Sequence, residues 1–313
     1  MFLEIKKLNK AFGNKPILKN ISFTVEEGCA VSFVGPSGVG KTTLLKIIAG
    51  LEEPDSGTVN FGNLPSKENP IILVFQDYLL FPTLTVFENV AFGLRTRKVS
   101  GKEIEKRVMA HLEYFQLAEK RKAYPAALSA GQRQRVAIAR AMIVNPAMLL
   151  LDEPFANLDR NLKLRTAEFI RDTQKEFGVT TIAVTHDQEE AFLMSDKVGV
   201  ILEGGLAQFA PPREIYGTPI SLDVARFLGP VNILPEALAQ KLGVHKQNGE
   251  YYTRPENLQI TACAEGIGEI KEAIFAGHYV KYTIEAEGVS LIVFTSDSDV
   301  RCGDRVNLVF KNQ

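Results

Sequence analysis

Ala30-Val31-Ser32-Phe33-Val34-Gly35-Pro36-Ser37-Gly38-Val39-Gly40-Lys41-Thr42-Thr43-Leu44-Leu45-Lys46-Ile47-Ile48-Ala49 decides the fold. Ala30–Val34 is an apolar run of the buried-strand type, and 43–49 reads as a helix. Between them Gly35–Thr42 fits G-x-x-x-x-G-K-[ST], in the strand–loop–helix setting that a phosphate cradle needs. The glycines let backbone N–H groups turn inward around phosphate oxygens. The helix start adds a partial positive charge at the same spot. Lys41 supplies a full charge for the β- and γ-phosphates, and the Thr42 hydroxyl suits Mg²⁺. Pro36, Ser37, Val39 and Thr43 complete the cradle. An ordinary glycine turn before a helix is the alternative, and the filled pattern with both flanks disfavours it.

Outward from this loop, four more stretches carry chemistry. Met148–Leu151 is a second buried strand, ending in Asp152-Glu153-Pro154. Carboxylates at that end of a strand lie where open α/β sheets bind ligands. Asp152 suits Mg²⁺ and Glu153 suits polarising an attacking water. Leu128-Ser129-Ala130-Gly131-Gln132 precedes the helical Arg133–Met142, with Ser129 able to cap it and leave free N–H groups. That makes a second anion site. Two phosphate sites and one nucleotide per chain suggest that two chains each supply half of one site. Thr180–Val184 leads into Thr185-His186-Asp187, and Ile71–Phe75 leads into Gln76.

In this order the stretches resemble the ATP-binding cassette (ABC) family, and within it the nucleotide-binding subunit of a transporter. The resemblance implies ATP with Mg²⁺, held by Thr42, Asp152 and Gln76. It makes Glu153, His186, Gln76 and Lys41 the catalytic set. It makes Ser129, Gly131 and Gln132 contacts to the γ-phosphate bound at the partner's Lys41. Phe12 takes the place of an aromatic that stacks on adenine, and its ring keeps the π-face that a tyrosine would offer. Asn157-Leu158-Asp159 resembles the loop that crosses the dimer interface. The family form carries glycine where this chain has Ala130. Tyr78-Leu79-Leu80-Phe81-Pro82 occupies the position that faces a permease's cytoplasmic helix, and the reading favours a partner surface there over local core.

The composition agrees. The chain has 313 residues and a net charge of −1, which predicts two domains and no general attraction to nucleic acid. Cys29, Cys263 and Cys302 are too scattered for a disulfide framework or a metal cluster, and suit a reducing compartment. The N-terminus starts as a strand with no leader pattern. No uncharged apolar run approaches the roughly 20 residues of a membrane span.

Strands are predicted over 2–8, 17–25, 55–62 and 71–75, with a Gly-Asn turn at 13–14. Residues of about 85–145 change to a helical pattern in which Ile104, Val108, His111, Leu112 and Phe115 share one face. His111 is therefore read as a core or groove residue. Strands return at 148–151 and 180–185, separated by a helix with Leu162, Phe169, Ile170 and Phe177 on one stripe. This alternation implies a doubly wound parallel sheet. The expected fold class is an α/β, RecA-like P-loop cassette with a helical subdomain, spanning 1–229.

After Gly229-Pro230 short alternating segments at 280–284, 290–294 and 305–310 predict a small all-β, OB-like barrel over 230–313. With Arg254-Pro255-Glu256 it resembles the regulatory extension of importer ATPases for sugars, polyamines, ferric iron, sulfate or molybdate. From residue 231 onward 8 basic side chains face 11 acidic ones, which disfavours a nucleic-acid surface.

The expected function is the ATP-hydrolysing subunit of a membrane importer. Two copies close head to tail on ATP and couple to integral-membrane permease subunits at the cytoplasmic face of the membrane. An external solute-binding protein acts through the permease, and nucleic acid is not a partner. Ferric iron, a polyamine or an oxyanion is favoured over sugar as cargo, because the tail is short. A soluble ABC ATPase is disfavoured by the single motif set and the lack of sustained heptads. A P-loop kinase is disfavoured by Leu128–Gln132.

Overall fold

The computed structural model describes residues 1–156, 159–296 and 300–311. The chain divides into two compact units, Met1–Gly217 and Thr218–Gln313.

In the first unit β1 (Leu3–Phe12) and β2 (Lys15–Val25) form an antiparallel hairpin turning at Gly13. β3 (Ala30–Val34) is buried at every residue and leads through the glycine loop into α1 (Lys41–Ile48). β4 (Ser56–Phe61) pairs with the other edge of β1, and β5 (Ile71–Val74) begins the second half of the unit. A helical arm follows, with α2 (Val86–Thr96), α3 (Gly101–Tyr114) and α4 (Ala130–Met142). The chain then runs through β6 (Met148–Asp152), α5 (Arg160–Phe177), β7 (Thr180–Thr185), α6 (Gln188–Met194), β8 (Lys197–Leu202), β9 (Gly205–Ala210) and α7 (Pro212–Gly217).

The central sheet has the order β5-β6-β7-β3-β8-β9. It is parallel except for β9, which pairs antiparallel with β8. Burial on both faces explains why β3 and β6 are largely apolar runs instead of alternating ones, and why β7 is β-branched and apolar with its three threonines buried. The sequence reading places no strand at 197–210. Val198–Ile201 lack the period of two because they too are buried on both sides.

Two cores sandwich this sheet. One packs β1, β2 and α1 against β3, β6 and β7. There Phe33 lies 4.7 Å from Phe23 and 6.0 Å from Phe209, ring centre to ring centre. Such pairs add about 0.5–1.5 kcal/mol beyond burial. The other core joins the helical arm to α5 and includes Val90, Val108, Phe115, Val136 and Ile170. The His111 ring packs against Phe115 and Phe177, and Nδ1 lies 3.0 Å from the Arg107 carbonyl. It is a core-edge residue, as its spacing predicts.

The second unit holds α8 (Leu222–Phe227), β10 (Asn232–Ile233), α9 (Glu236–Leu242) and β11 (Tyr252–Thr253). β12 (Leu258–Ala262), β13 (Gly268–Phe275), β14 (Val280–Ala286), β15 (Val289–Thr295) and β16 (Arg305–Phe310) follow. These five form one antiparallel sheet, ordered β12-β16-β13-β14-β15. Its outer strands β12 and β15 approach each other, so the sheet curls. The unit begins earlier than the Gly229-Pro230 boundary read from the sequence. The physical reason is Arg254, 6% exposed. Its guanidinium donates to the carbonyls of Ala225 (2.8 Å), Gly229 (3.1 Å) and Pro230 (3.3 Å), which fastens the segment after α7 to the sheet.

Candidate active site

Parallel strands deliver their C-terminal ends to one rim. β6, β7 and β3 are neighbours in register, with Asp152 opposite Val184 and Thr185 opposite Val34. The glycine loop, the Asp152-Glu153 pair and His186 therefore meet although they are far apart in sequence. Gly38 and Gly40 adopt φ of 78° and 108°, which bends the loop into a cradle ending at the N-cap of α1. A side chain at position 40 would also strike Ile17 and Leu18.

Lys41 is 5% exposed. Its ammonium donates to the carbonyls of Gly35 (2.8 Å) and Pro36 (3.0 Å), so it lies folded along the loop. Burial pushes its pKa down, opposed by the charges of Glu153 and Asp152. The Thr42 hydroxyl donates to Asp152 Oδ1 at 2.8 Å. Burial raises the Asp152 pKa, partly offset by Thr42. Two hard oxygen donors side by side, with a carboxylate short of positive charge, fit Mg²⁺. Among the described residues no group of three His, Cys, Asp or Glu could cage a metal. Mg²⁺ characteristically takes its remaining ligands from phosphate and water.

Glu153 accepts backbone placement from β7: its N–H donates to the Val184 carbonyl at 3.0 Å. Its φ is 46°, a left-handed value that costs a side-chain-bearing residue energy and clusters at functional sites. His186 Nδ1 lies 2.7 Å from Glu153 Oε2. Phe12 is half exposed and lines a cleft of about 230 Å³ with Ile17, Ser37, Gly38, Gly40, Lys41, Thr42, Thr43 and Glu153. Pro36 and Val39 line the adjoining concavity. Gln76 stands exposed on the turn after β5.

Ser129 and Gln132 form a capping box at the start of α4. Gln132 N–H donates to Ser129 Oγ at 3.3 Å, and Ser129 N–H donates to Gln132 Oε1 at 3.0 Å. Ala130 is the first helical residue, so its methyl group meets no left-handed requirement. Gly131 follows it, and a Cβ there would touch the Leu162 side chain at 3.4 Å. Among the described residues, none of the 129–132 cap lines the Lys41 cleft. Asp159 caps α5, accepting from Leu162 N–H at 3.0 Å, while Asn157 and Leu158 lie outside the described residues.

The aromatic stretch 78–82 divides. Leu79 is exposed, but Tyr78 is buried and donates to the Pro154 carbonyl at 3.3 Å. Tyr78 is therefore core and not partner surface. Gln134, 1% exposed, donates to the same carbonyl at 2.7 Å. The Arg140 guanidinium donates to the carbonyls of Tyr78 and Leu79, each at 3.0 Å, and lies over the Phe81 ring at 5.3 Å. The turn after Gln76, the helix after Gln132 and the end of β6 are thus stitched together. Sequence reasoning missed Gln134 and Arg140. The nearest signal was their polarity on the buried stripe of an amphipathic helix.

The family model described as ABC transporter matches residues 18–156, and a TOBE domain model matches 253–313. The chain is 37% identical over 327 residues to the spermidine/putrescine import ATP-binding protein PotA of Haemophilus influenzae, covering 94% of this chain and 88% of that protein. It is 39% identical over 313 residues to the Fe(3+) ions import ATP-binding protein FbpC of Brucella abortus, covering 92% and 89%. The chain belongs to the ABC transporter family. Among solved structures, cbiO1 of Clostridium perfringens, part of the ABC transporter complex cbiONQ, matches with TM-score 0.64 and 33% identity over 68% of this chain and 90% of that one. A dimeric ATP-binding cassette in a post-hydrolysis state with ADP and Pi matches with TM-score 0.59 and 33% identity, over 67% and 99%. As an ABC ATPase the chain binds and hydrolyses ATP. No helix among the described residues is long and apolar enough to cross a membrane.

Proposed function

We propose that the chain powers a membrane importer from the cytoplasmic face, as a peripheral homodimer docked on integral-membrane permease subunits. The Met1–Gly217 unit is the motor, with the helical arm of about 85–145, and the Thr218–Gln313 unit is a regulatory module. The observation that carries the reading is the pairing of His186 with Glu153 beside the Lys41 cradle, while the Ser129 cap lies outside that cleft.

ATP sits with adenine on Phe12 and phosphates on Gly35–Thr43. Lys41 leaves the loop carbonyls for the β- and γ-phosphates. Thr42, Asp152 and Gln76 hold Mg²⁺, which supplies charge neutralisation at the phosphate oxygens. Ser129, Gly131 and Gln132 of the second copy, with Asp159 at the interface, close the site over the γ-phosphate. Glu153 accepts a proton from the attacking water, and His186 holds Glu153 and the γ-phosphate in line. Most of the rate comes from positioning and charge stabilisation.

Cargo is a polyamine, ferric iron or an oxyanion in preference to a sugar, and the names of PotA and FbpC support the first two. It is delivered by an external solute-binding protein. The test is a pull-down from native membranes with the Glu153→Gln variant and ATP. A polytopic membrane protein among the retained partners supports the reading. Ribosomal or DNA-associated partners in its place overturn it.

A further inference from the structure

Glu190 belongs to α6, outside the residues that line the nucleotide cleft, yet it is only 4% exposed. A buried carboxylate needs hydrogen bonds and a counter-charge. Thr185 supplies the first, its hydroxyl donating to Glu190 Oε2 at 2.5 Å. Lys163, on the first turn of α5, supplies the second. Its Nζ lies 3.0 Å from Glu190 Oε1 and 3.5 Å from Asp187 Oδ2. Asp187 in turn caps α6, accepting from the N–H groups of Glu189 (3.0 Å) and Glu190 (3.3 Å). Asp187 N–H donates to Thr185 Oγ1 at 3.0 Å, which closes the circuit.

The residue before His186 is thus gripped by Glu190. The residue after it is gripped by Lys163 and the start of α6. His186 itself is largely exposed and reaches Glu153 through Nδ1. A side chain so free in solvent takes its direction from its backbone, and that backbone is fixed on both sides by one ion-paired group. Lys163 follows Asp159, the cap of α5, within one helical turn.

We propose that Lys163 and Glu190 are positioning residues for ATP hydrolysis, which set the backbone of Thr185–Asp187 and through it the reach of His186 to Glu153. They tie the start of α5 to the histidine. A displacement of α5 therefore moves His186 relative to Glu153 without either residue touching nucleotide. The proposal rests on the reading of Glu153 and His186 given above. It differs from a plain structural bridge between α5 and α6, which would affect folding and leave the chemical step alone.

The test compares steady-state ATP hydrolysis and thermal unfolding of the full-length protein as Glu190→Gln, Lys163→Met and Lys163→Arg, each with His186 intact and as His186→Ala. Misplacing a catalytic group by about 1 Å costs on the order of a hundredfold. With His186 intact, Glu190→Gln and Lys163→Met are expected to lower kcat by roughly ten- to a hundredfold with KM for ATP unchanged. Lys163→Arg, which keeps the charge, restores most of kcat. In the His186→Ala background the same changes are expected to have no further effect on kcat. An equal loss in both backgrounds, or an unchanged kcat with a lowered unfolding temperature, overturns the relay. Lys163 is partly exposed, so Lys163→Met reads the relay even if loss of the Glu190 charge lowers folding yield. If His186→Ala alone leaves kcat intact, the reading of His186 fails. If it lowers kcat while the Glu190 and Lys163 variants do not, only the relay fails.

Discussion

Glu153 stands on a left-handed backbone with its carboxylate against His186. A residue with a Cβ holds such a φ only where its surroundings over-determine it, and here the bond to Val184 and the two donors on Pro154 do so. Glu153→Gln keeps shape and backbone while removing the basic oxygen. Hydrolysis is expected to fall by about 10²- to 10⁴-fold with ATP affinity retained. Lys41→Ala is expected to weaken affinity itself. Equilibrium nucleotide binding beside steady-state hydrolysis separates the two, and normal turnover of Glu153→Gln would remove the residue from its role. Individual residues were legible where chemistry demands a contiguous pattern. Gly35–Thr42, Asp152-Glu153 and Leu128–Gln132 are read from adjacent letters. Gln134, Tyr78, Glu190 and Lys163 were not legible, because each matters through a neighbour that only the folded chain brings near.

Helices of this chain are well punctuated. Thr85 with Glu88 and Ser129 with Gln132 each complete a capping box, so the starts of α2 and α4 are fixed locally. Each such cap contributes about 1 kcal/mol. On α3, burial pulls the His111 pKa below its ordinary value, against the bond to the Arg107 carbonyl. The folded state therefore holds His111 neutral, whereas the unfolded chain takes up a proton below about pH 6.5. The sign follows: the stability due to the neutral ring is complete above that pH and is lost as pH falls toward the folded pKa. His111→Phe is expected to flatten the decline in the urea midpoint between about pH 7 and 5; an unaltered slope would assign the decline to other groups. Strands with alternation or a motif at their end were readable. β8 was not, since burial on both faces erases the period that identifies a strand, and half-buried β9 is fixed as an edge strand by its pairing with β8.

At the scale of the molecule, cradle and cap belong to one chain but serve different sites in the proposed dimer. Lys41→Ala spoils the cradle and Ser129→Arg spoils the cap, so either homodimer is expected to be inactive. Mixed after reversible dissociation, random pairing leaves roughly a quarter of the composite sites intact. ATPase activity is therefore expected to reappear on mixing, and its absence would count against a shared site. The two-unit plan was legible from the change of pattern near residue 230, but its boundary was set by Arg254 reaching back to Ala225, which no local signal announces. In the second unit, β13 pairs with β16 only at Gly268 and Glu269, so among the described residues the outer side of Glu272–Phe275 has no strand partner. Phe275 at its end is 76% exposed. An open row of peptide groups beside a bare aromatic is a template for growth into filaments. Glu272 puts a charge in that row and Lys271 puts one directly before it, so neutralising that pair would trade solubility for precipitation in concentrated protein.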